Sequence, residues 1–283
     1  MKNIRKIWIP IVLVISGLLC LSFAIGIPLK NVLNDSTSGT NQNSFKEVKH
    51  VFNEAINDIK IETGKINTLT IKYVQQPEFT VKGFGNLEQY RSEINNKTLT
   101  VATIPSTCTF GQCDIANFDS LEIEIPASYK GKMHIDTIKS NILLEGLGDD
   151  VLRSYSIDGM NTNITANKLI ADYEVDSMNA KLTVNDGAGT IKLNGLNTSA
   201  YVTSIIGNLK IESDAMAAYT EFPHGSSGSY SVTMNGMSNS YSNPHDSQKP
   251  STLGTLQHHF KHGTDGFTIT YESNGLSNTL VVK

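Results

Sequence analysis

Tryptophan, cysteine and arginine are nearly absent from this 283-residue chain, which has one Trp, three Cys and arginine only at Arg5, Arg91 and Arg153. Three cysteines exclude a disulfide-dense scaffold and a multi-cysteine zinc fold. Scarce arginine and a net charge of −4 argue against the clustered cations with which proteins hold nucleic acid, so no nucleic-acid partner is expected. The single Trp8 falls in an apolar stretch, which leaves no indole platform for sugars and only Tyr and Phe as partial substitutes. No Gly-x-Ser-x-Gly elbow, phosphate-binding Gly-Lys loop or His-Glu-x-x-His motif occurs. Helical periodicity is also lacking: after position 50 no window of a dozen residues makes an amphipathic helix. Hydrophobic residues at 39% and charged residues at 18% are ordinary for a folded chain.

The long apolar run is at the N-terminus. Lys2, Arg5 and Lys6 precede an uncharged stretch from Ile7 to Leu29, roughly 34 Å as helix and enough to cross a hydrocarbon core of about 30 Å. A cleavable signal peptide is the competing reading, because Ala24-Ile25-Gly26 offers small residues at suitable spacing. The run nevertheless exceeds the usual apolar core of such peptides. Leu19 before Cys20 is too large for a lipoprotein site. The expectation is a single-pass anchor over 1–29, with the N-terminus cytoplasmic by the positive-inside rule and the rest of the chain extracellular. Residues 30–50, with Asn34–Ser44 polar throughout, are expected to be a flexible linker. Residues 51–283 form the outer domain.

That domain alternates. Asp58-Ile59-Lys60-Ile61-Glu62, Leu69-Thr70-Ile71-Lys72, Phe79-Thr80-Val81-Lys82 and Leu121–Ile125 place apolar residues two apart, as half-buried strands do. Asn95-Asn96 reads as a hairpin turn. In mid-chain, Ile157-Asp158-Gly159-Met160-Asn161 recurs as Val175-Asp176-Ser177-Met178-Asn179 and as Leu193-Asn194-Gly195-Leu196-Asn197, in steps of 18. One more step reaches Ile211-Glu212-Ser213, and a step of 22 backwards reaches Ile135-Asp136-Thr137.

Alignment of the units gives apolar columns headed by Met133, Ile135, Ile142 and Leu144. The first runs on through Tyr155, Tyr173, Ile191 and Leu209; the third and fourth end at Ala218 and Thr220. Thr137, Gly159, Ser177, Gly195 and Ser213 form a small-residue column suited to a corner. A fixed short period predicts stacked units. The expected fold is all-β, a β-solenoid or β-helix-like stack with about 18 residues per turn.

Short β-repeats behind one N-terminal span, the Leu121–Pro126 strand, and the closing Gly263–Thr270 followed by Ser273-Asn274-Gly275 resemble the bacterial "putative adhesin" family over roughly residues 50–283. The resemblance implies a β-strand-repeat domain of the cell envelope, in adhesion or the response to envelope stress, with no catalytic residues and no cofactor. The polar stretch from Pro223 to Pro250 departs from that pattern and, with Tyr230 and Tyr241, is expected to be a long loop open to partners.

Candidate chemistry is sparse. Cys108 and Cys113 could form a redox pair, half a metal site, or, outside the cell, a small structural disulfide, which is the expected state. His258 and His262 have metal-binding spacing only on a helix, and these segments look like strands, so His258, His259 and His262 are expected at an exposed strand end. Asp136, Asp158, Asp176, Asn194 and Glu212 fall in one outward column. Stacked about 5 Å apart, Asp136, Asp158 and Asp176 would repel unless solvated or bridged by a cation such as Ca²⁺. Asn161, Asn179 and Asn197 are expected to form an amide ladder. The expected function is non-enzymatic binding or scaffolding of an envelope component or protein. The alternatives are a polysaccharide-active β-helix enzyme, which would need two positioned acids beside a groove, and a membrane-coupled sensor of envelope damage.

Overall fold

The structure, a computed structural model, describes residues 45–86, 90–103, 117–223, 227–244, 254–264 and 266–283. The apolar segment 7–29, the linker as far as residue 44, and Cys108 and Cys113 lie outside the described residues, so the anchor and disulfide expectations are not addressed by it. Among the described residues no helix is long and apolar enough to cross a membrane.

Every regular element described is a strand: β1 Phe45–Phe52, β2 Asp58–Val74, β3 Phe79–Asn86, β4 Tyr90–Asn95, β5 Thr98–Thr103, β6 Asn117–Pro126, β7 Lys132–Glu145, β8 Arg153–Asn167, β9 Ala171–Val184, β10 Gly187–Val202, β11 Ile205–Phe222, β12 Gly228–Ser242, β13 Gly254–His262 and β14 Thr268–Val282. They hydrogen-bond in the order β1-β3-β6-β2-β7-β8-β9-β10-β11-β14-β12-β13. From β6 to β12 each neighbour is parallel to the next. The ends are closed by antiparallel strands, β3 and β1 at one end and β13 at the other. β1 takes in residues 45–50, which the sequence reading assigned to the linker.

The repeat sets the register of these parallel rungs. Ile157 lies opposite Val175, and Val175 opposite Leu193, at the step of 18; Ile135 lies opposite Ile157 at the step of 22. Met133, Tyr155, Tyr173 and Ile191 stack as one buried column, with the Tyr155 and Tyr173 rings parallel at 5.7 Å. Burial of apolar columns from one rung to the next supplies the dominant stabilisation.

Beyond β10 the register departs from the sequence alignment. β11 pairs at a step of 20: Ile191 faces Ile211, Leu193 faces Ser213, and Ala200 faces Thr220. Leu209, Ile211, Glu212, Ser213, Ala218 and Thr220 therefore each sit two positions earlier along the rung than the 18-residue step assigns. The correct small-residue column continues from Gly195 to Ala215, and Phe222, wholly buried, ends the rung opposite β14's Val282. The cause is two extra residues at the start of β11, where Ile205 still pairs with Gly187 at a step of 18 but Leu209 pairs with Gly189 at a step of 20. A shift of two keeps every side chain on its own face, so the hydrophobic pattern does not betray it.

Rungs that the repeat did not reveal complete the stack. β2 lies on β7 with Ile59 against Met133 and Ile61 against Ile135. β14, the last strand in sequence, is inserted between β11 and β12. The stretch read as a long loop after Pro223 is largely β12. Its Tyr230 is core rather than contact surface, 3% exposed and stacked on Phe260 at 4.4 Å. The Asn95-Asn96 turn is shifted by one: Asn95 pairs with Thr98, and Asn96 and Lys97 both take positive φ, the two-residue hairpin geometry that matches strand twist.

Candidate functional site: amide ladders along a polar groove

Along most of each rung exposure alternates. At one place it does not: in β7 the pattern from Thr137 runs buried, exposed, exposed, buried, and β8 to β11 repeat the phase change at Met160-Asn161, Met178-Asn179, Leu196-Asn197 and Met216-Ala217. The strands bend there, and the inward residue just before the bend is small (Gly159, Ser177, Gly195, Ala215) because backbone meets backbone.

Just past the bend lies a groove of about 380 Å³. One wall is the column Lys65, Lys139, Asn161, Asn179 and Asn197. The floor holds Ser140, Thr162 and Ala180, and the far wall Asn67, Asn141, Asn163, Lys181 and Ser199. Both walls carry amide ladders. Asn197 Nδ2 donates to Asn179 Oδ1 at 2.9 Å and Asn179 Nδ2 to Asn161 Oδ1 at 2.8 Å. Opposite them, Asn163 Nδ2 donates to Asn141 Oδ1 at 3.2 Å and Asn141 Nδ2 to the Asn67 carbonyl at 2.9 Å. The expected ladder is present, and a second faces it.

Each laddered amide spends one N–H on its neighbour and keeps another, so the walls present hydrogen-bonding groups at the rung spacing of about 4.8 Å. Lys181 lies over the Tyr201 ring at 5.1 Å, and Tyr201 lies 5.5 Å from Tyr219. Tyr219 donates to Glu221 Oε2 at 2.8 Å, and that hydrogen bond leads the causes that push its hydroxyl up to about 12. No carboxylate, histidine or cysteine lines the groove.

The acidic column lies on the other side of the bend. The register gives it as Glu62, Asp136, Asp158, Asp176, Asn194 and Asp214, with Asn274 and Asn235 beyond. Asp214 replaces the expected Glu212, which belongs one column over, 3.6 Å from Lys192. The repulsion is partly relieved within the chain. Lys60 Nζ lies 2.5 Å from Glu62 Oε1, His134 Nε2 lies 3.5 Å from Asp158 Oδ2, and Asn274 Nδ2 donates to Asp214 Oδ1 at 2.7 Å. Among the described residues no three His, Cys, Asp or Glu side chains are placed to hold a metal ion.

Burial raises the Asp158 carboxyl above its ordinary value; His134 opposes this, and Asp176, Asp136 and Glu174 add to it. The folded protein thus holds this proton more tightly than the unfolded chain. The stabilisation from protonation is complete below the ordinary carboxylate value near 4 and is lost as pH rises through the raised one. Asp158→Asn is therefore expected to raise Tm by about 1–2 °C at pH 7, an advantage that fades below about pH 4; melting curves from pH 3 to 8 measure it.

The histidines are divided by β13. His258 is 8% exposed and packs against Tyr241 and Phe260 at 5.3 and 5.6 Å. It belongs to the buried end of the stack rather than to an exposed strand end, because in the antiparallel pairing it faces Val232. His259 points to solvent.

Neither a family model nor a curated protein matches the chain. Solved structures of bacterial proteins do. A "putative cell adhesion protein" from Clostridium sporogenes is 8% identical, over 84% of this chain and 99% of its own, with a TM-score of 0.31. "Putative adhesins" from Parabacteroides distasonis and Bacteroides fragilis are 14% and 11% identical. Each match covers 83% of this chain and 97% of the other, with TM-scores of 0.43 and 0.37.

Proposed function

We propose that residues 45–283 are a β-solenoid displayed outside a bacterial membrane by the N-terminal segment, and that it works as an adhesion module without catalytic activity. The solenoid reading is supported by chain length. A 14-residue strand laid straight extends about 46 Å, yet only two residues separate Val184 from Gly187, while Ile191 pairs back to Tyr173. Each rung must curl round to its own start.

The observation that carries the binding reading is the pair of amide ladders facing each other across the groove. Their donors and acceptors repeat at the rung spacing, which suits an extended, hydroxyl-rich polymer laid along the stack, a polysaccharide of the envelope or of a neighbouring cell. A groove without a carboxylate lacks the acid pair that glycoside cleavage uses, which favours binding over the alternative of a polysaccharide-active enzyme.

Native gels cast with soluble β-glucan, glucomannan or hyaluronan are expected to retard the full chain in at least one case. The exposed far-wall variant Asn141→Ala/Asn163→Ala/Lys181→Ala is expected to lose that retardation. Unretarded migration in all of these gels would reject the reading.

A further inference from the structure

At the bend itself, between the acidic column and the amide wall, one residue per rung points outward: Ile138, Met160, Met178, Leu196, Met216, Leu276 and Met237. The flanking pairs place them on successive rungs, since Thr137–Gly159–Ser177 stack on one side and Lys139–Asn161–Asn179 on the other. The same register carries the column through β10, β11, β14 and β12. All seven are apolar, and all seven are 41–70% exposed. Single exposed apolar residues are ordinary; seven on successive rungs make a ridge about 29 Å long, and such an apolar strip marks an interaction site.

The flanks identify the occupant. On one side, two residues before the ridge residues of β7, β8 and β9, stand acceptors: Asp136, Asp158 and Asp176, with Glu62 on the rung of β2 and Asn194, Asp214, Asn274 and Asn235 on the later rungs. On the other, one residue after the ridge, stand donors on the same rungs: Lys139, Asn161 and Asn179, with Lys65 on β2 and Asn197 on β10. If a second copy is laid ridge to ridge with the two-fold axis running along the ridge, every rung meets its own counterpart. Asp136 then faces Lys139 of the second copy, and Asp158 faces its Asn161. If the copies ran in opposite directions about Leu196, Asp176 would face Asp214 of the second copy and Lys139 would face Ser238 instead of an acid.

The same acidic flank disfavours an anionic lipid surface as the occupant. We propose that the chain forms a parallel homodimer through the Ile138–Met237 ridge, with a two-fold axis along the stack.

Cysteine crosslinking of the full chain in detergent tests both the partner and its direction. On a parallel axis Ile138→Cys and Met237→Cys, at opposite ends of the ridge, are each expected to form a disulfide-linked dimer under mild oxidation. The parent chain, which keeps its own cysteines, is the control. An antiparallel pair would crosslink Leu196→Cys, at the centre, and neither end, and would overturn the proposal.

Sedimentation velocity of the full chain is expected to give a dimer that Met160→Glu/Met178→Glu converts to monomer, with the circular dichroism spectrum unchanged because both positions face solvent. A parent chain that sediments as a monomer overturns the proposal. If vesicles of phosphatidylcholine then shield the ridge cysteines from a water-soluble maleimide, the ridge belongs to a lipid surface; without shielding, it belongs to some other partner.

Discussion

Gly195→Ala is expected to destabilise the domain by about 3 kcal/mol or more, read as a drop in the urea midpoint without change in slope. A methyl group at Gly195 would stand 1.9 Å from the Ser177 carbonyl oxygen on the preceding rung. That oxygen belongs to backbone held in the ladder, so no side chain can rotate away to relieve the contact. Gly148→Ala is the control. Gly148 has φ +74° and nothing within 4 Å of a built Cβ, so alanine there meets only the left-handed backbone penalty of roughly 1–2 kcal/mol. If both substitutions cost the same, close approach at the bend is not what selects glycine.

The second large effect is expected at Arg153, a buried cation at the start of β8. Its side chain is 1% exposed and Nη2 reaches Asp149 Oδ2 at 3.1 Å and the Ala127 carbonyl at 3.1 Å. The guanidinium sits 4.4 Å from the centre of the Tyr73 ring, while Nε and Nη1 have no hydrogen-bond partner. Removing only the counter-charge leaves a buried cation uncompensated. Asp149→Ala is thus expected to cost about 2 kcal/mol, toward the low end for such pairs because the Asp149 side chain is 34% exposed. Arg153→Met removes the cation as well as its two unmet donors and keeps the volume; it is expected to be neutral within about 1 kcal/mol. Urea titration of the two variants side by side decides it, and equal destabilisation would mean that packing, not charge, is what matters at this position.

The candidate site was half legible in sequence. Asn161, Asn179 and Asn197 recur at the repeat step, so their ladder could be foreseen from stacking alone. The facing wall could not: Asn67 lies 74 residues before Asn141, outside any period, and only the docking of β2 onto β7 brings the two together. Met160, Met178 and Leu196 were visible as a recurring position, yet recurrence gives no direction. An apolar residue one place after an inward glycine would face outward under strict alternation, and so would not the Asn after it; the bend puts both outside. His258 shows the converse, a polar residue buried because β13 lies antiparallel on β12.

By itself, the amino-acid sequence determined the all-β class, the 18-residue step through β8, β9 and β10, and the buried columns through those rungs, because like side chains must stack when strands repeat in parallel. It left the step into β11 open, since a slip of two residues preserves the faces of a strand. Tertiary structure alone decided that step, the insertion of β14 between β11 and β12, and the assembly of groove and ridge. Each of these depends on contacts between residues distant in the chain, and nothing in the local pattern of polar and apolar residues encodes them.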